Sequence, residues 1–157
     1  MKTKKIKTYI LTVSKTFPVT HKRNGEPTNF IESIGRQIKL HTIRANYELW
    51  RKRIDEVQKG DAVLRVVQWS AKPYKSKQET IMTLDSGSGI GIQRLTFKEQ
   101  SLHGEIAISP DYDIWHSTRT KHLAENDGLT LEDFEEWFKK YDLSEPMAII
   151  HFTKFRY

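Results

Sequence analysis

Asn46-Tyr-Glu-Leu-Trp-Arg-Lys-Arg-Ile-Asp-Glu-Val-Gln-Lys-Gly-Asp-Ala-Val-Leu-Arg-Val-Val-Gln-Trp69 passes from one hydrophobic period to another around a single glycine. Tyr47, Trp50, Ile54 and Val57 recur every three or four residues and make one apolar stripe, while Arg51, Lys52 and Arg53 turn outward. That spacing predicts an amphipathic helix from Asn46 to Gln58. Gly60 in Lys59-Gly60-Asp61 suits the left-handed residue that ends a helix. Ala62 to Trp69 then reads as a strand, so a helix feeds a strand through a three-residue turn.

Upstream, Ile6 to Val13 carries β-branched and aromatic residues suited to a strand. Ser14 to Thr28, with Pro18, Gly25 and Pro27, is a long irregular stretch, so residues 1–27 read as a strand followed by a functional or mobile loop. Thr28 or Asn29 caps a short helix over Phe30, Ile31, Ile34 and Ile38, with Glu32 in capping-box position. Downstream, Glu79 to Leu84 and Ile90 to Phe97 are strand candidates joined as a hairpin by Asp85-Ser86-Gly87-Ser88-Gly89. This glycine-rich turn lacks the following helix and the Lys-Ser/Thr pair of a phosphate loop. Glu105 to Ile108 is a further short strand.

The last third predicts a helix over Thr118 to Asn126 closed by Gly128, then a second one capped by Thr130 with Leu131, Phe134, Trp137 and Phe138 inward. Glu132, Asp133, Glu135 and Glu136 fall in its first turns, where the helix dipole favours negative charge. Met147 to Phe152 is a final strand. Short strands interleaved with helices, without regular strand–helix alternation, predict an α+β fold: a strongly bent mixed sheet or small barrel with flanking helices. No linker or internal repeat divides the 157 residues, which read as one domain.

Composition narrows the chemistry. The chain has no cysteine, which excludes thiol nucleophiles, thiolate metal sites and disulfides. The six histidines show no H-x-x-x-H or H-E-x-x-H spacing, so neither a metal site nor a cofactor is expected. No apolar run approaches the ~20 residues of a bilayer span, and the lysine-rich start is not followed by a signal-peptide core, so the expectation is a cytoplasmic protein without a membrane partner. Net charge is +6, but residues 1–60 hold 14 basic and five acidic side chains while residues 101–157 hold six and 11. The basic front suits a polyanionic partner, or is simply a solvated lysine-rich face.

Within that front, Ile38-Lys39-Leu40-His41-Thr42-Ile43-Arg44 places Lys39, Thr42 and Arg44 at K-x-x-T-x-R spacing between two helices. In an extended segment Thr42 and Arg44 share a face, and Lys39 reaches it from the preceding turn. An ammonium, a hydroxyl and a guanidinium together suit a phosphate, a carbonyl or a base edge. Structural roles stand beside this: Arg44 pairing with a carboxylate, Thr42 capping the next helix, Asp127 turning the chain before Gly128. His41 is either structural or a base contact. Trp69-Ser70-Ala71-Lys72-Pro73-Tyr74-Lys75-Ser76-Lys77 offers Trp69 and Tyr74 to stack a base and Lys72 to hold a backbone, or is ordinary loop chemistry. His21 to Gly25 is a candidate to close over the same cleft.

This motif, followed by a polar helix and the Lys59-Gly60-Asp61 turn into a strand, resembles the ASCH domain family of the PUA-like superfamily, over about residues 28–155. The resemblance implies a PUA-like β-barrel. Asn126-Asp127-Gly128-Leu129-Thr130-Leu131-Glu132-Asp133-Phe134 is similar to a stretch of the bacterial acetylcytidine amidohydrolases of that family. By that likeness Lys39 and Thr42 match the catalytic lysine and threonine, Arg44 the motif arginine and Asp127 the catalytic acid. Two positions depart from the pattern: Gln37 stands where the family has glycine, and the acid is Asp127 rather than a glutamate. The leading expectation is a domain that binds RNA or a modified nucleoside around Lys39, Thr42, Arg44 and Asp127. The alternatives are an amidohydrolase acting through a Thr42 nucleophile, a Lys39 base and an assisting Asp127, and a module whose acidic helix over residues 131–141 docks a partner protein.

Overall fold

The computed structural model describes residues 5–103, 105–109 and 116–157, with residues 116–119 as backbone only. The lysines nearest the start, Lys2 and Lys4, fall outside them. The helix-to-strand segment forms as its periodicity dictates. A helix spans Tyr47–Gln58, with the Asn46 side chain accepting from the Leu49 N–H, and a strand spans Ala62–Trp69. All four stripe residues, Tyr47, Trp50, Ile54 and Val57, are buried, and Gly60 takes φ +82° between the two elements.

In chain order the elements are β1 Lys7–Thr12, α1 Phe30–Gly35, β2 His41–Arg44, α2 Tyr47–Gln58, β3 Ala62–Trp69, β4 Gln78–Leu84, β5 Gly91–Phe97, β6 Glu105–Ser109, β7 His116–Arg119, α3 Thr120–Asn126, α4 Leu131–Phe138 and β8 Met147–His151. They build two sheets. One is β1-β3-β4, with β3 central, parallel to β1 and antiparallel to β4. The other is β2-β8-β5-β6-β7, antiparallel throughout. Helix α2 packs against β3 of the first sheet and β5 and β8 of the second. Its Ile54 and Val57 join Leu64, Val66, Leu95, Ile149 and Ile150 in one core that bridges both sheets.

The mixed α+β class is therefore present, but the strands do not close into a barrel: among the described residues no ladder joins the two sheets. The hairpin expected across residues 85–89 is also absent. β4 pairs with β3 and β5 with β8 and β6, so this turn crosses from one sheet to the other. Asp85 organises it by accepting from the Gly87 N–H at 2.9 Å, and Arg156 donates to the Gly89 carbonyl at 2.8 Å. At the start of β5, a Cβ at Gly91 would meet the end of the Arg156 side chain, which would have to move.

Three helix boundaries differ from the sequence reading. Helix α1 ends at Gly35, before Ile38, which is exposed. Asn29 is left-handed with no side-chain cap, because the Thr28 hydroxyl meets the Phe30 N–H at 3.4 Å and also donates to the Ser14 carbonyl. Residues 116–119 pair with β6 as β7, so α3 begins only at Thr120. Helix α4 ends at Phe138, and its Thr130 cap accepts from the Asp133 N–H at 3.1 Å.

The irregular stretch after β1 is folded onto α4. Phe17 and His21 are buried, His21 Nε2 lies 3.0 Å from the Asp133 carbonyl oxygen, and Arg23 Nη1 reaches the Asp133 carboxylate at 2.6 Å. Lys22 pairs with Glu132, and its N–H donates to Glu136. Part of the acidic helix considered from sequence as a docking face for a partner protein is in contact with the chain's own front loop.

Candidate functional site

Four side chains from distant parts of the chain line one cavity of about 250 Å³: Lys39, Thr42, Arg44 and Asp127. Phe30, Trp137, Phe138 and Tyr141 supply much of its apolar wall, and Pro18 and Thr20 bring the front loop to its edge. Local backbone explains how each polar group arrives. After α1 the chain folds back on itself, the Ile38 and Lys39 N–H groups both donating to the Ser33 carbonyl. Gln37 makes this reversal at φ +58°, a left-handed conformation that favours glycine. Gln37 therefore occupies a position where a glycine would be unstrained.

Thr42 and Arg44 alternate onto one face of β2, with Arg44 Nε 3.4 Å from Thr42 Oγ1. Arg44 Nη2 also donates to the Thr12 carbonyl at 2.5 Å, tying β2 to the end of β1. Asp127 is held at the end of α3, its N–H donating to Leu123 and Ala124 carbonyls. Gly128 follows at φ +79°, and a Cβ there would lie 3.1 Å from Lys39 Cβ. Its missing side chain lets the lysine stem pass close to the turn.

Lys39 and Asp127 form the polar centre, at only 3% and 4% exposure. Lys39 Nζ donates to both the Asp127 carbonyl and Oδ1 at 2.8 Å and lies 4.1 Å from the Phe30 ring centre. Burial pushes the Lys39 amine below its ordinary range; Asp127 opposes this, and nearby Arg44 adds to it. Burial alone would raise the Asp127 carboxyl, but the positive field of Lys39 and its contact with His41 outweigh that and hold it low. Burial thus works against charge on both groups, and their mutual contact works for it.

His41 does not face the cavity. One residue out of phase with Thr42, it is wholly buried, with Nδ1 3.6 Å from Asp127 Oδ1 and Nε2 2.6 Å from the Tyr157 hydroxyl. Of the two roles expected for His41, the geometry accords with the structural one, because strand alternation turns the imidazole away from the cavity. Asn126 donates to the same Tyr157 hydroxyl at 3.0 Å, and Gln93 Oε1 accepts from the Tyr157 N–H at 3.0 Å and lies 2.9 Å from His151 Nε2. This buried polar layer backs the cavity, and nothing in residues 93, 151 or 157 as a pattern announced it.

Trp69, Lys72 and Tyr74 also stand apart from the cavity. Trp69 and Tyr74 line an adjoining groove, and Lys72 is in the exposed loop beside them. Phe30 and Trp137 were legible only as core residues, although both form the cavity wall. Among the described residues no group of three or more His, Asp or Glu is arranged to hold a metal ion, and no helix is long and apolar enough to cross a membrane. No family model, curated protein or solved structure matches the chain.

Proposed function

We propose that the cavity binds the base of an acylated cytidine and that the chain removes the acyl group from its exocyclic amine. The observation that carries this reading is the convergence of Lys39, Thr42, Arg44 and Asp127 on one small cavity. Its volume falls below the roughly 300–1,000 Å³ of sites for drug-sized ligands, which suits a base more than a whole nucleotide. Phe30 and Trp137 add an aromatic wall, and the polar residues meet the acyl amide.

In this reading neutral Lys39 takes the Thr42 hydroxyl proton as Oγ1 attacks the acyl carbonyl carbon. Arg44 faces the oxyanion that forms. Collapse breaks the bond to the exocyclic nitrogen, which leaves with the proton from the Lys39 ammonium. Water then attacks the acyl–threonine ester, assisted by Lys39, releasing the carboxylic acid and restoring Thr42. Asp127 orients Lys39 throughout and stabilises its ammonium form.

A second reading is base binding without turnover, favoured by one observation: Lys39 already gives two hydrogen bonds to Asp127. A cation fixed in that way suits recognition of a ligand carbonyl. Incubation with acetylcytidine and chromatography for cytidine separates the two. The enzyme reading expects release that falls about 100-fold or more in Lys39→Ala and Thr42→Ala. Saturable binding with intact substrate selects the second reading, and absence of both binding and release removes the two together.

A further inference from the structure

A base held in the cavity leaves its ribose and phosphate outside, and a groove of about 550 Å³ begins where the cavity ends. Val13, Ser14, Pro18 and Arg44 line both spaces. Lys15 and Arg44 line the groove, and among the described residues no aspartate or glutamate does. Trp69 and Tyr74 form an aromatic surface on it, with ring centres 5.2 Å apart.

Tyr74 is the telling residue. It is 89% exposed and has φ +63°, a left-handed backbone that a bulky residue rarely adopts. Exposure and conformation are both unfavourable for a large aromatic side chain, and outliers of this kind gather at binding surfaces. The loop that presents it is organised: Ser76 Oγ donates to the Lys72 carbonyl at 2.8 Å and accepts from the Ala71 N–H at 3.0 Å. Lys15 Nζ joins this loop to the groove floor through the Ser70 carbonyl at 2.7 Å. Lys72, Lys75 and Lys77 add positive charge along it.

We infer that the groove seats the neighbouring nucleotide of a single-stranded RNA, so that the chain takes its modified base from within a strand rather than as a free nucleoside. This rests on the base-binding reading of the cavity. The flanking base stacks on Tyr74 and Trp69, and the phosphate between the two bases meets Arg44 and Lys15. Ser14, Thr16 and Asn24 line the same groove and offer hydrogen-bond partners to a 2′-hydroxyl, which selects RNA over DNA.

The test compares three probes by competition binding: a five-nucleotide RNA carrying one acetylcytidine, the matching DNA carrying acetyldeoxycytidine, and free acetylcytidine. The RNA is expected to bind about tenfold or more tighter than the nucleoside, the scale of one stacked base, and to weaken with added salt. Tyr74→Ala should remove most of that preference, whereas Tyr74→Phe should retain it. A preference near unity, or one indifferent to Tyr74→Ala, overturns the inference while nucleoside binding still supports the cavity's role. Equal affinity for the DNA overturns the choice of RNA. If neither nucleoside nor RNA binds, the cavity reading fails and this inference falls with it.

Discussion

Lys39 and Asp127 are each other's principal charge partner in a nearly dry environment. Removing one member of a buried pair commonly costs about 3–5 kcal/mol, because the survivor keeps its desolvation penalty without its partner. Denaturant unfolding should therefore find Lys39→Met and Asp127→Leu each destabilised on that scale, with the double variant losing much less than the sum. Strict additivity would mean that the pair is not coupled. Gln37 supports a prediction of opposite sign. A left-handed non-glycine residue carries a conformational cost of about 1–2 kcal/mol, partly offset by the greater unfolded-state entropy of glycine. Gln37→Gly should be neutral to stabilising by up to about 1 kcal/mol, and a clear fall in unfolding midpoint would show that the glutamine side chain contributes more than its backbone costs. The K-x-x-T-x-R spacing revealed Lys39, Thr42 and Arg44 because strand alternation and one turn suffice to place them. It said nothing of Phe30, whose ring lies beneath the lysine, or of Tyr157, since those meetings depend on how separate elements dock.

Among the elements, the α3–α4 corner fixes where Asp127 stands. Asp127 ends one helix, Gly128 turns the chain, and Thr130 caps the next. Gly128→Ala should lose about 1–2 kcal/mol from the left-handed backbone alone, with a further effect because the new methyl presses on the Lys39 stem. Acetylcytidine turnover should fall more than stability explains, whereas unchanged kinetics in the folded variant would separate this corner from the site. Local signals were sufficient for α2, β3 and the Thr130 cap, where period, cap and glycine agree. They failed at residues 85–89, since a short glycine-rich turn is compatible with either a hairpin or a crossover. The choice there was made by partners in distant sequence: β8 claims β5, and β3 claims β4.

For the whole molecule, acid should be the weak direction. His41 and His151 are fully buried, and burial lowers both; His151 is pushed down to about 2 from an ordinary 6.5. As pH falls through 6.5 the unfolded chain binds protons at these imidazoles while the folded chain does not, so stability drops. A single group of this kind contributes a slope of about 1.4 kcal/mol per pH unit between its two pKa values. Urea unfolding from pH 7 to pH 4 should show this limb, and His151→Gln should reduce its slope by roughly one such contribution. An identical limb in the variant would remove His151 as the cause. The charge asymmetry visible in the sequence also acquires a meaning at this scale, because part of the basic front is spent on the acidic back through Lys22–Glu132 and Arg23–Asp133.

β2, which carries Thr42 and Arg44, has a single ladder neighbour among the described residues, β8, so His41 is registered against His151. The Lys39–Asp127 contact likewise spans 88 positions. Pairings of such sequence separation form only after large loops have closed, and they slow folding. Until residues 147–151 are in place, Thr42 and Arg44 lie on a strand whose ladder partner is missing. An interrupted chain that stops before β8 carries the entire K-x-x-T-x-R motif and still lacks the sheet that shapes it. The motif by itself therefore does not make the site: its shape depends on a partner strand about a hundred residues away.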